Sequence, residues 1–189
     1  MSDSRDPQPR CSVFIAATLD GFIARSDDRI DFLSIVERAG EDYGYGEFWK
    51  TIDALVVGRK TYDVARGFDT WPYTGKVCVV LTRDPSALAS DAKLEEHGVR
   101  LYAGDLAELV VRLGQEGVRR IYVDGGGVIQ QFLDEELIDD MTISTLPILL
   151  GDGIRLFGKQ KGDIHLEVTR SRAFPSGLVQ TEYVVKKSR

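Results

Sequence analysis

The middle of the chain alternates short apolar runs with helix-like segments, and this alternation restricts the fold more than any other feature. The strand-like runs are ALVVG, KVCVVLT, VRLYA and RRIYVDGG, and helix-like segments such as RKTYDVARGF, DLAELVVRLGQEG and VIQQFLDEELI follow them. A piece that could be helix or loop follows KVCVVLT. Because parallel neighbouring strands need crossover connections, we expect an α/β fold with a mainly parallel sheet and helices on both faces.

The two ends of the chain differ from this middle part. Residues 1–10 are rich in Pro, Asp, Ser and Arg and are predicted to be a disordered leader, followed by a single domain over residues 11–189. CSVFIAATL predicts a first strand that ends at the turn Asp20-Gly21, and residues 34–53 predict one or two helices. Three later strand-like segments have no helix between them, so we expect the sheet to finish with antiparallel edge strands.

Composition excludes several classes of function. The chain has 189 residues and a formal net charge of -6, which argues against a general affinity for nucleic acid or anionic membranes. It contains no apolar run near the roughly 20 residues that span a bilayer, and its leader has no apolar signal-peptide core, so a cytoplasmic protein is expected. Only Cys11, Cys78, His97 and His165 could supply sulfur or imidazole, and their spacing predicts no metal site.

Three strand-to-helix junctions carry residues suited to phosphate. In VVGRKTYD, Gly58 precedes Arg59, Lys60 and Thr61, which fall in a first helical turn where the helix dipole favours anions. VVLTR ends a strand with a hydroxyl and a guanidinium. The three glycines of VDGGGV remove every Cβ from a turn, so a diphosphate or a flat ring can approach the backbone. Together the junctions favour a dinucleotide.

Two common nucleotide folds do not fit this pattern. The chain lacks the G-x-x-x-x-G-K-[ST] sequence of a Walker loop. A Rossmann fingerprint belongs after the first strand, whereas the first strand here ends in TLDGFIA and Gly125 comes far too late. The end of the second strand is basic rather than acidic, which favours NADPH over NADH.

Six motifs follow one another between about residues 13 and 185: TLDGFIA, DFL, DALVVGRKTYD, VVLTR, IYVDGGGVIQQFL and LPILLGDGIRLF. In this order they resemble the dihydrofolate reductase superfamily, and within it the group related to the reductase domain of the bifunctional riboflavin-biosynthesis deaminase/reductase. The resemblance implies a three-layer sandwich around a sheet of about eight strands, with NADPH as hydride donor. It also implies a homodimer.

By motif position, the resemblance assigns cofactor contacts along the whole chain. The first loop would act as a flap over the nicotinamide, the residues around Gly58 and Gly125 would hold the phosphates and the nicotinamide ribose, and Thr82 with Arg83 would surround the adenosine 2'-phosphate. The implied residues are Ala17, Leu19, Asp20, Ile23, Gly58, Arg59, Lys60, Thr61, Leu81, Thr82, Arg83, Asp124, Gly125, Gly126, Gly127, Val128 and Ile129.

The substrate end departs from the folate enzymes. Their flap loop carries a Trp where this chain has Phe32, and a carboxylate should follow in the helix before the GR pair. The substrate candidates are Asp31, Phe32, Asp42 and Glu47, without a catalytic assignment. We therefore expect an NADPH-dependent reductase of a pteridine, pyrimidine or related small heterocycle. The alternative is a catalytically silent NADP-binding or oligomerisation module of the same fold.

Overall fold

The computed structural model describes residues 8–88 and 91–187 and contains ten strands and five α-helices. The strands are β1 Arg10–Thr18, β2 Phe22–Ala24, β3 Ala54–Gly58, β4 Val77–Leu81, β5 Arg100–Tyr102, β6 Arg120–Asp124, β7 Asp140–Leu146, β8 Ile154–Arg155, β9 Leu166–Ala173 and β10 Val179–Val185. The helices are α1 Tyr45–Lys50, α2 Arg59–Ala65, α3 Ala92–Glu96, α4 Leu106–Gln115 and α5 Gly126–Asp134. Two 3₁₀ helices span Asp31–Val36 and Pro85–Leu88.

Eight strands form one sheet in the order β5-β4-β3-β6-β1-β7-β10-β9, and β2 pairs with β8 in a separate two-stranded ribbon. All pairings from β5 to β7 are parallel, whereas β10 is antiparallel to both β7 and β9. The predicted α/β class, the eight-stranded sheet and its antiparallel C-terminal strands are confirmed. The first of the three late segments, β7, nevertheless runs parallel to β1, because α5 supplies a crossover between β6 and β7.

Some boundaries differ from the sequence-based expectation. Most of the predicted leader, residues 1–7, lies outside the described residues. Strand β1 begins at Arg10, one residue before the expected start at Cys11, because the Arg10 amide pairs with the carbonyl of Arg119. Pro9 is already buried, against Gly114 of α4.

The helices cover both faces of the sheet. On one face α4 and α5 bury a continuous apolar surface, and the predicted stripe of α4 is buried in full, at Leu106, Leu109, Val110 and Leu113. Asp105 begins that helix by accepting a hydrogen bond from the Glu108 amide at 2.9 Å. On the other face α1 and α2 pack on β3, β4 and β6. Both faces of the parallel strands are therefore shielded.

The 3₁₀ helix Asp31–Val36 covers the far side of β7. Phe32 and Val36 are buried there against Leu146, Phe174 and Leu178. Nowhere in the described ranges does a helix combine the length and the apolar character needed to cross a membrane.

Core packing between α5 and the sheet can be tested at Phe132, which is fully buried. Phe132→Ala should lower the free energy of unfolding by about 3–5 kcal/mol, because it removes apolar contacts and leaves a cavity. Val111→Ala, a truncation at an exposed position of α4, should change it by less than about 0.5 kcal/mol. Urea unfolding of both variants measures the difference, and equal effects would contradict the assigned core.

Candidate functional site

A large cleft of about 1660 Å³ runs along the carboxyl edge of the parallel strands. Its size exceeds the roughly 300–1,000 Å³ of a typical small-ligand pocket, which leaves room for two ligands side by side. The three predicted junctions all line it, and they follow the adjacent strands β4, β3 and β6. Parallel pairing thus brings together residues that are far apart in the sequence, in a place where open α/β sheets bind ligands.

The β3–α2 and β6–α5 junctions touch each other. Gly125 has a φ of +94°, and a Cβ built on it would lie 2.8 Å from Oγ1 of Thr61. A Cβ on Gly126 would lie 2.9 Å from the carbonyl oxygen of Arg155, whereas one on Gly127 would meet nothing within 4 Å. Gly125 and Gly126 are therefore required by the turn and its packing, and Gly127 leaves open space beside the cleft.

The first turn of α5 presents backbone donors to this space. Gly125 accepts the amides of Val128 and Ile129, each at 2.9 Å. The amides of Gly126 and Gly127 have no acceptor in the described part of the chain, and both residues line the cleft. Unpaired first-turn amides of this kind favour an anion.

Cationic side chains surround the same end of the cleft. Arg59 pairs with Asp63 at 2.8 Å, one turn along α2. Lys60 reaches across to Asp28 at 3.0 Å, and Arg83 is exposed at the rim. We call this region, lined by the three junctions, the basic end of the cleft.

The predicted flap residues are placed differently from one another. Ile23 lines the cleft beside Gly126, while Leu19 is 66% exposed and Ala17 is buried. Asp20 accepts hydrogen bonds from the Thr18 hydroxyl at 2.6 Å and from the amides of Leu150 and Gly151 at 2.9 and 2.7 Å. These bonds, the one from Thr18 above all, lower the pKa of Asp20 to about 2. Asp20 therefore anchors the loop after β7 to the turn after β1.

Two other predicted cofactor residues differ in accessibility. Leu81 at the end of β4 lines the cleft with Thr82, whereas Ile129 is completely buried behind it in the core. Ile129 therefore packs in the core and contacts the glycine turn through its amide, which donates to the Gly125 carbonyl oxygen.

Of the four substrate candidates, only Asp42 lines the cleft. Its carboxylate accepts the amides of Gly44 and Gly46, each at 2.9 Å, at the start of α1. Asp31 pairs with Arg25 at 2.6 Å, and Glu47 pairs with Lys50 on the exposed face of α1. The fourth candidate, Phe32, is buried against Leu146, Phe174 and Leu178 and does not line the cleft.

Sequence reasoning missed an aromatic wall around the neighbouring part of the cleft. Phe14 of β1 and Tyr45 of α1 meet edge to face, with ring centroids 5.6 Å apart. Tyr122 of β6 also packs against Tyr45, at 6.5 Å, and its hydroxyl donates to the Phe14 carbonyl. In IYVDGG the alternation of a strand places Tyr122 and Asp124 on one face, which was the available signal.

Asp124 lies in the cleft where the basic end meets this aromatic wall. Burial raises the pKa of its carboxyl group to about 6, although a hydrogen bond from the Gly125 amide acts in the opposite direction. Burial and the nearby Asp124 also raise the pKa of Tyr45 to about 12. A carboxyl group with a pKa near neutrality is suited to give or take a proton.

Comparison with known proteins agrees with this geometry. The family model described as the RibD C-terminal domain matches residues 9–180. YwjB of Bacillus subtilis (strain 168), described only as an uncharacterized protein, is 34% identical over 174 residues, which cover 91% of this chain and 95% of YwjB. A crystal structure from Shewanella sp. PV-4, provisionally assigned to riboflavin biosynthesis, is 37% identical, with a TM-score of 0.86 over 94% of this chain and 99% of that chain.

A more distant likeness concerns the fold alone. Dihydrofolate reductase from Enterococcus faecalis, in complex with NADP(H), is 15% identical, with a TM-score of 0.66 over 95% of this chain and 98% of that chain. The family resemblance predicted from the six sequence motifs is confirmed.

The raised pKa of Asp124 predicts a stability cost at neutral pH. Since its folded-state pKa of about 6 exceeds the ordinary 3.8, wild-type stability should fall as pH rises between these values, by roughly 2–3 kcal/mol. Asparagine at position 124 cannot ionise. Asp124→Asn should therefore be more stable than the wild type by about 2–3 kcal/mol near pH 7.5, and the two proteins should have similar stability near pH 4. Urea unfolding at both pH values measures this.

The control for this prediction is Asp69→Asn, which makes the same change at an exposed position in the loop after α2. Its stability relative to the wild type should be the same at both pH values. A pH-independent effect of Asp124→Asn would contradict the buried environment assigned to Asp124.

Proposed function

Since the chain belongs to the RibD C-terminal domain family, we propose that it is an NADPH-dependent reductase that transfers hydride to a small heterocyclic substrate of the pteridine or pyrimidine type. The observation that carries the proposal is the position of Asp124. Its carboxyl group lies between a basic end suited to a dinucleotide and an aromatic wall suited to a flat ring. Hydride transfer to a carbon beside nitrogen or oxygen also needs a proton, and Asp124 can supply it.

The residues of the basic end fit the cofactor. The unpaired amides of Gly126 and Gly127 would hold the diphosphate, and Lys60 and Thr61 would contact it from the facing junction. Arg83, at the rim, would bind the 2'-phosphate, since a guanidinium makes paired hydrogen bonds to phosphate oxygens. The dihydronicotinamide supplies the hydride when it is bound.

The chain's own groups perform the rest of the reaction. In its protonated form Asp124 donates a proton to the nitrogen or oxygen atom next to the carbon that is reduced. Phe14 and Tyr45 pack against the substrate ring and exclude water from it, which strengthens the interaction with Asp124. Tyr45 is an uncharged phenol at neutral pH, and its raised pKa of about 12 extends that range, so it adds no competing charge.

Cofactor preference tests the basic end. The protein should bind NADPH more tightly than NADH, as measured by quenching of tyrosine and tryptophan fluorescence. Arg83→Ala should weaken the binding of NADPH roughly 10- to 100-fold and leave the affinity for NADH nearly unchanged, because only NADPH carries the 2'-phosphate. Arg170→Ala, which removes an exposed arginine from the opposite edge of the sheet, should change neither. A preference for NADH would sink the cofactor assignment.

Turnover tests the role of Asp124. NADPH oxidation is measured with dihydrofolate, pyrimidines and quinones, and with an active substrate the rate should decline above about pH 6 as Asp124 loses its proton. Asp124→Asn should lower kcat by about 100-fold or more, while the affinity for NADPH changes little. Asp42→Asn is the comparison, and a larger loss there would transfer the proton-donor role to Asp42. Firm NADPH binding without turnover of any substrate would favour the catalytically silent module.

A further inference from the structure

A buried hydroxyl group lies in the wall of the cleft beyond the aromatic residues. Ser144 of β7 is 3% exposed, lines the cleft and is paired in register with Ala16 of β1. Burying a hydroxyl group in a mainly apolar wall is costly unless it is hydrogen bonded. The hydrogen bonds of Ser144 therefore indicate what the wall is built to contact.

The side chain of Gln180 fixes the orientation of this hydroxyl. Its Nε2 lies 3.0 Å from the backbone carbonyl oxygen of Tyr43 and 3.0 Å from Oγ of Ser144. A carbonyl oxygen can only accept, so the amide nitrogen must face Tyr43, and the same nitrogen then donates to Ser144. Ser144 is thus the acceptor in this pair. Its own proton finds no acceptor among residues 8–88 and 91–187.

The sheet sets the distance between Ser144 and Asp124. Their strands, β7 and β6, lie on either side of β1, so the two backbones are about 10 Å apart across the sheet. Ser144 is paired with Ala16, whereas the pairing of Tyr122 with Ser12 places Asp124 level with Phe14, so the two residues are also offset by two positions along the strands. Between them β1 contributes Phe14 and the small side chain of Ala16, both of which line the cleft. One or two fused six-membered rings fit this span, with one edge toward Asp124 and the other toward Ser144.

The loop above this space is acidic, in contrast to the basic end. Glu37, Glu41 and Asp42 line the cleft there, against a single cation, Arg38. The Arg38 guanidinium donates to the carbonyl oxygens of Glu37 and, at 3.5 Å, Ile35, and the carboxylates of Glu41 and Asp42 accept nearby backbone amides. These bonds leave the formal charges in place, so three carboxylates outnumber the one guanidinium, and an excess of negative charge disfavours a phosphate group on the substrate.

We propose that the substrate is a planar heterocycle without a phosphate group, and that Ser144 donates a hydrogen bond to a carbonyl oxygen or ring nitrogen on its edge. Gln180 is a positioning residue, since it leaves the serine proton as the one directed into the cleft. The proposal rests on the proposed function, because it concerns the substrate half of the same cleft. It adds a specificity-determining residue and a charge class.

Binding of defined ring compounds tests the charge class. Lumazine is an uncharged bicyclic dione, and uridine and uridine 5'-monophosphate differ only in the phosphate. Isothermal titration calorimetry, with and without saturating NADP⁺, should show that lumazine binds. Uridine should bind roughly 10-fold more tightly than uridine 5'-monophosphate, or more. Tighter binding of the monophosphate, or no binding of either uncharged ring at millimolar concentration, would overturn the proposal.

Two variants test the hydrogen bond of Ser144. Ser144→Ala should weaken lumazine roughly 5- to 10-fold. Gln180→Glu keeps the serine but offers its hydroxyl group a carboxylate acceptor, so the Ser144 proton should turn away from the cleft. The affinity for lumazine should then fall by a similar factor. The double variant should bind no more weakly than Gln180→Glu alone. Ser171→Ala, the same change on the exposed strand β9, should have no effect.

The outcomes of these titrations separate the two proposals. Unchanged lumazine affinity in Ser144→Ala, or fully additive losses in the double variant, would overturn the role of Ser144 even if NADPH binds as expected. Failure of NADPH binding would instead sink the proposed reductase function, and the ring titrations without NADP⁺ would still report on the wall. Thermal unfolding of each variant shows whether a loss of affinity comes from a loss of folded protein.

Discussion

The parallel pairing of β6 between β3 and β1 is the constraint on which the rest of the structure depends. It aligns the carboxyl ends of six strands at one edge, so that the turns after β3, β4 and β6 open into a common cleft. The pairing brings Thr61 of the first basic junction against Gly125 of the glycine turn, although 63 residues separate them in sequence. Without this register the basic residues and the glycines would be separate surface features.

The glycine triplet shows how far sequence reasoning can reach. The strand-to-helix position and the need for bare backbone could be predicted, because both follow from local chemistry. The separate reasons for each glycine could not be predicted, since they depend on Thr61 and on the Arg155 carbonyl, which come from distant parts of the chain. The fold class was similarly accessible through the alternation of strands and helices, whereas the parallel direction of β7 depended on α5 as a crossover.

The substrate half was harder to predict for the same physical reason. Carboxylates were sought in the segment before Gly58, where acids are common. The three acidic candidates, Asp31, Asp42 and Glu47, pair with nearby cations or accept amides at the start of a helix. In contrast Asp124, whose pKa is raised to about 6 by burial, is the last residue of β6, and its burial comes from tertiary packing. Sequence alone carries no measure of that burial. Ser144 and Gln180 gain their relation only through the antiparallel pairing of β7 and β10.

The two halves of the cleft place opposite demands on electrostatics, and Asp124 stands at their boundary. Cations and free amides at the basic end favour anions, while the acidic loop disfavours a second anion beside them. A carboxylate between these regions would be drawn toward ionisation by the cations, yet burial against Tyr45 and Tyr122 holds its pKa near 6. The apolar wall thus contributes to chemistry as well as to packing, because it holds the pKa of Asp124 near neutrality.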